Sequence, residues 1–177
     1  MLFAAGELYA LVGLEADRGS LAGARGYLLE AIALAEDLGA EMFLYFFRSD
    51  LAVLLMAEGD YDPAAPLLRS SLLLARRIGL RQELAGLLFG AACLAPHRRD
   101  LLQAARLHGA ADVAIAGGLA GGNINWTEME QGVRDEDQPR LRAAMPSEDF
   151  ERAYEFGAGL TPQQAVELAL GRKVLGA

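Results

Sequence analysis

The chain has 177 residues, 53% of them hydrophobic, and a formal net charge of -8. That apolar content excludes intrinsic disorder and is enough for one domain with a substantial core. The acidic balance excludes a nucleic-acid-binding surface, which needs a basic footprint to displace counterions.

Several of the clustered arginines, Arg76, Arg77, Arg81, Arg98, Arg99 and Arg106, stand near the ends of predicted helices, where a cation complements the dipole. Ala and Leu dominate and β-branched and aromatic residues are sparse, which favours helix over sheet. Cys93 is the single cysteine, so no intramolecular disulfide can form and a reducing compartment is natural. The start, Met1-Leu2-Phe3-Ala4-Ala5-Gly6-Glu7, lacks the basic region of a signal peptide. No apolar run reaches the ~18 residues that cross a bilayer. The expectation is a cytoplasmic protein without membrane contact.

In chain order, the apolar periodicity predicts helices over 2–17 and 21–38, 41–58 and 63–78, and 81–95 and 101–116, three hairpins in all. The pattern is clearest around Gly59-Asp60-Tyr61-Asp62-Pro63-Ala64-Ala65. There Asp62 is the expected N-cap, Pro63 suits the first helical position, and Gly79 closes the helix.

Shifting the chain by 40 residues superimposes Gly19, Gly59 and Arg99, each followed by a capping-type residue, Ser20, Asp60 and Asp100. Ala24, Ala64 and Ala104 align in one column. Leu28, Leu68 and His108 align in a second, and Ala31, Ser71 and Ala111 in a third. Gly39 and Gly79 mark matching helix ends. Small residues at fixed offsets are what close helix packing demands, so this is an internal repeat whose units stack to share a core.

Four glycines between Gly117 and Gly122 predict a loop over 117–126. Beyond it, Thr127-Glu128-Met129-Glu130 has the form of a capping box, Pro139 is expected to interrupt or restart that helix, and Ser147 opens the next. Thr161-Pro162-Gln163-Gln164 starts the last helix and Gly171 ends it. The expected fold is all-α: about three antiparallel helical hairpins over 1–116, the loop, and capping helices over 127–177, together forming one domain.

The Gly59-Asp60-Tyr61 turn followed by alanine at the next core column resembles a tetratricopeptide repeat, although that repeat has a period of about 34. Gln103-Ala104-Ala105-Arg106-Leu107-His108-Gly109-Ala110-Ala111 resembles the AARL-x-GAA segment of large bacterial regulators. Phe150-Glu151-Arg152-Ala153-Tyr154-Glu155-Phe156-Gly157 and the run Leu160 to Leu170 fit the same pattern. In LuxR-, MalT- and AfsR-like transcriptional regulators and related signalling ATPases this pattern closes a tetratricopeptide-like C-terminal region. The resemblance implies a partner-sensing helical array that works on adjacent ATPase and DNA-binding modules. Neither a P-loop nor a helix-turn-helix after Leu170 is present, so the chain is either an excised domain or a short relative that kept the array. Asn123-Ile124-Asn125-Trp126 also departs from the Pro-rich segment of that family.

Chemistry-bearing residues are few. Cys93 and His97 at i, i+4 supply two metal ligands at most, where tetrahedral zinc wants three or four, and Pro96 disturbs the helix between them. Nothing marks an oxyanion hole for Cys93 as nucleophile. His108, in a leucine column, reads as a structural histidine, and Asp135-Glu136-Asp137 beside Pro139 as a solvated loop or helix terminus. No catalytic, cofactor or metal residues are assigned, and no enzyme activity is expected.

Met42-Phe43-Leu44-Tyr45-Phe46-Phe47 is too apolar to hide on one stripe of a helix. With the first helices of the hairpins lining a concave face, Tyr9, Ser49 and Phe89 occupy equivalent positions, with Phe46, Val53 and Cys93 nearby. These six residues are the expected groove for a protein or peptide partner. Self-association through the same face is the competing use, and a small-molecule effector enclosed by the groove and the Gly-rich loop is the alternative function.

Overall fold

Turns at a fixed interval set the architecture. In the computed structural model, which describes residues 2–79, 84–117 and 128–174, every element is helical. Gly19, Gly39, Gly59, Gly79 and Arg99 fall twenty residues apart, and each has a left-handed backbone, with φ of 72, 61, 86, 71 and 61°. At four of these turns the next amide reaches back five residues: Ser20 to the Glu15 carbonyl, Ala40 to Ala35, Asp60 to Leu55 and Asp100 to Ala95, at 2.8–3.1 Å. This is the Schellman closure, which satisfies carbonyls that the end of a helix would leave orphaned. Arg99 makes the same turn without glycine's freedom and carries the steric cost of a Cβ in that region.

By its contacts the chain divides into two units, 1–74 and 75–177, with the division inside one helix. The first unit holds α1 (Leu2–Asp17), α2 (Leu21–Asp37), α3 (Glu41–Ala57) and most of α4 (Tyr61–Ile78). Helix α2 packs on α1 and on α3. Helix α4 is fixed to α3 by the buried Ser71 hydroxyl, which donates to the Tyr45 carbonyl at 3.2 Å. Helix α4 begins two residues before the expected start. The turn hands the chain to the helix directly after Asp60, so Asp62 and Pro63 lie within the first turn, where Asp62 faces the positive end of the dipole without capping it.

The second unit holds the end of α4, α5 (Leu84–Leu94), a single 3-10 turn, α6 (Leu101–Ala116), α7 (Glu128–Ala144), α8 (Ser147–Ala158) and α9 (Pro162–Ala169). Helix α6 is its axis, touched by α5, α7, α8 and α9. Asp100 caps α6 by accepting from the Gln103 amide at 3.0 Å, and Gln103 Nε2 donates to the Leu168 carbonyl at the end of α9. Thr161 and Gln164 form a capping box at the expected start of α9. The expected interruption at Pro139 does not occur: α7 runs through it with the proline on its exposed side. The expected loop over 117–126 and the Thr127 cap lie, but for Gly117, outside the described residues.

The period-40 columns are core. Ala24, Ala64 and Ala104 are each 0% exposed; Leu28, Leu68 and His108 are buried, as are Ala31, Ser71 and Ala111. No described helix is long and apolar enough to cross a membrane.

One ion cluster ties α4 and α9 within the second unit. Glu167 accepts from Arg76 and from Arg172, both at 2.7 Å, and the two guanidiniums, Arg172 first, hold its carboxyl below the ordinary value of 4.5. A carboxyl whose folded value is depressed stabilises the fold above its ordinary value, and that stability is lost as pH falls through the lower one. Glu167→Gln should therefore be less stable than wild type at pH 7 by a small margin, as for any exposed pair, and the margin should shrink as the solution is made acid enough to protonate the wild-type carboxyl. Urea unfolding of both proteins at pH 7 and in acid measures this; a margin that persists in acid would show that the ion pairs are not its source.

Candidate functional site

A histidine in a column otherwise filled by leucine needs a polar partner. His108 is 3% exposed on α6, and its Nε2 lies 2.7 Å from Asp137 Oδ2 on α7. With the carboxylate ionised, the imidazole donates this bond. The ring meets Phe89 of α5 edge-on, with centroids 5.7 Å apart. Cys93, one turn further along α5, is 1% exposed, and its thiol feels the charge of Asp137. Asp137 thus ties α7 to α6 through His108.

A second set of bonds runs beside the first. Asp112, one turn after His108, accepts from the Tyr154 hydroxyl of α8 at 2.7 Å and from Gln138 Nε2 of α7 at 3.4 Å. His108 and Asp112 on one helix therefore meet the adjacent residues Asp137 and Gln138 on the other. Such a polar ladder fixes the register of α7 on α6, because a slip of one residue would strand buried polar groups.

The chemistry available here is limited. Burial pushes the Cys93 thiol up, and the charge of Asp137 pushes it further, so the reactive thiolate is suppressed. Burial and the bond to Asp112 push the Tyr154 phenol up to about 12. General acid–base work near neutrality needs values close to the working pH. Among the described residues no three His, Cys, Asp or Glu side chains are placed to hold a metal ion.

The expected groove residues differ in burial. Phe89 and Cys93 are buried in the second unit, and Val53 of α3 is 6% exposed, so these three do not line an open groove. The reason is composition: α5 is apolar on every side, and ten of its eleven residues are buried. A helix of that kind has no face to offer. Phe46 and Ser49 on α3 are half-buried and Met42 is 53% exposed, which leaves one stripe of α3 partly open. The side chain of Tyr9, on α1, lies outside the described residues. His97 sits on the 3-10 turn, exposed, while Cys93 is enclosed, so the two are not brought together as a ligand pair.

Asp137 is the residue the sequence reading passed over. Asp135 and Glu136 are exposed as expected, but Asp137 is half-buried where a solvated loop or helix terminus was expected. The signal was present in two places: an unpartnered His108 in a leucine column, and Asp137, Gln138 and Leu141 at the i, i+1, i+4 spacing of one helix face.

No family model, curated protein or solved structure matches this chain.

Proposed function

We propose that this chain is a non-enzymatic, tetratricopeptide-like interaction domain that acts by binding a protein segment. The observation that carries the reading is the twenty-residue spacing of five left-handed turns, with buried small-residue columns recurring at forty. Arrays of identical helical units serve to present extended surfaces rather than to concentrate reactive groups. Beside Asp137 the one cysteine, Cys93, is buried and its thiolate is disfavoured.

The contact surface of this reading is the stripe Met42, Phe46 and Ser49 on α3. Met42 and Phe46 are large apolar residues left partly open to solvent in a helix that otherwise buries nine of its seventeen residues. Phe46 is held edge-on against Tyr45 at 5.0 Å, which fixes it as a rigid anchor of the sort that dominates peptide grooves. The segments that resemble LuxR-, MalT- and AfsR-like regulators form α6, α8 and α9, so the natural partner is a neighbouring ATPase or DNA-binding module, or a protein that controls one.

A photocrosslinking amino acid at position 46, expressed in the source cell, tests this. The expected result is a discrete adduct that the same group at the exposed position 152 does not give. Equal, diffuse labelling from both positions would overturn the reading.

A further inference from the structure

Leu11 and Leu14 on α1 are 37% and 44% exposed. In the forty-residue register Leu51 and Ala91 are the equivalents of Leu11, and Leu54 and Leu94 those of Leu14; all four are buried. Glu7, one turn before Leu11, is exposed, where the same column holds the buried Phe47 and Leu87. The positions that α3 and α5 bury therefore lie open on α1, and one of them carries a carboxylate. Arg18, one turn after Leu14, extends the helix by donating its amide to the Leu14 carbonyl at 3.2 Å. Its side chain is 63% exposed and pairs with Glu15 at 3.2 Å. At 3.6 residues per turn, Glu7, Leu11, Leu14 and Arg18 fall within about 60° of the helix circumference. They form one stripe, acidic at its start, basic at its end and apolar between.

We propose that this stripe is a self-complementary dimer surface, on which a second copy of the chain lays its own α1 in antiparallel orientation. Leu11 of each copy then meets Leu14 of the other, and Glu7 meets Arg18 at both ends of the contact. A parallel pairing would set Glu7 against Glu7 and Arg18 against Arg18. A further repeat stacked on α1 would have to cover the Glu7 carboxylate where the array elsewhere packs Phe47 and Leu87. Covering a charge without a partner is costly. A second copy brings a guanidinium to that carboxylate, and this complementarity selects it over other occupants. A contact of one short helix with another falls below the ~1,200 Å² of a standard interface, so the dimer is weak and follows concentration. It lies on a different helix from the Met42, Phe46 and Ser49 stripe and does not depend on the partner reading.

Sedimentation equilibrium of the intact chain over a range of concentrations tests this. The 18.9 kDa monomer should pass into a dimer as concentration rises. Leu11→Glu should raise the dimer dissociation constant by about tenfold or more, with an unchanged circular dichroism spectrum. The charges test the orientation. Glu7→Arg and Arg18→Glu should each weaken association at low salt, because each sets like charges together at both ends. An equimolar mixture of the two variants should associate again, since the arginine introduced in one faces the glutamates of the other at both ends. A wild-type chain that stays monomeric up to roughly 1 mM overturns the proposal. So does a dimer that none of these variants weakens, or a mixture no better associated than its components. If Leu11→Glu does not fold, the two charge variants, both at exposed positions, decide. Crosslinking from position 46 reads a different helix, so the dimer and the partner reading can fail separately.

Discussion

Gly157→Ala is expected to unfold the second unit under conditions where the wild type is native. Helices α6 and α8 make the most extensive contact in that unit, and they meet backbone to backbone. A Cβ at position 157 would stand 1.8 Å from the Arg106 carbonyl oxygen and 2.5 Å from its carbon. The reverse face is equally tight: a Cβ at position 109 would lie 2.1 Å from the Tyr154 carbonyl oxygen and 2.9 Å from the Ala158 nitrogen. Neither obstacle is a flexible side chain, so the helices would have to part, and the packing of Ala105, Ala153 and Phe150 would go with them. Overpacking a core typically costs ~1–3 kcal/mol, and a clash with backbone on this scale should exceed the upper figure. Gly26→Ala, in the interior of α2, is the control, because nothing lies within 4 Å of a Cβ there. It should stabilise the first unit by up to about 1 kcal/mol through helix propensity alone. Urea unfolding followed by far-UV circular dichroism separates the two. A Gly157→Ala protein with an unchanged midpoint would show that α6 and α8 are not in backbone contact.

Both glycines stand in the segments that carry the resemblance to bacterial regulators, yet their role was not legible there. A sequence shows that a residue is small; it does not show which backbone passes over it. The elements were legible because their causes are local. Apolar spacing and left-handed turn residues marked 2–17 and 101–116 to the residue, and the column of Ala24, Ala64 and Ala104 identified core positions without a structure. Helix α4 started early because the turn at Gly59, not the cap-like Asp62, decides where the helix can begin. Pro139 misled because a proline removes one backbone bond at one site, and α7 runs through it with the ring on its exposed side while Leu141 and Asp137 pack inward. The burial of Phe89 and Cys93 was illegible for a related reason. Repeat symmetry places Phe89 and Ser49 at equivalent positions, but α5 is enclosed on all sides and α3 is not, and symmetry says nothing about what covers a face.

The same distinction between enclosed and open faces gives the second large effect, on adjacent residues of α3. Phe47 is 2% exposed, with its ring 5.9 Å from that of Phe43, whereas Phe46 is half-buried against Tyr45. Removing a fully buried phenylalanine forfeits its transfer free energy and leaves a cavity, so Phe47→Ala should cost about 3–5 kcal/mol. Phe46→Ala should cost about 1 kcal/mol, the scale of one aromatic pair contact. Two neighbours of identical chemistry thus separate stability from binding. If the α3 stripe is the contact surface, Phe46→Ala abolishes partner capture at a nearly native melting temperature, and Phe47→Ala lowers the melting temperature whether or not a partner is present. Thermal melts of both variants, set beside capture of the partner identified by crosslinking, give the answer. Should Phe46 prove the costlier of the two, the stripe that carries Met42 and Ser49 is packed inward and is not a contact surface.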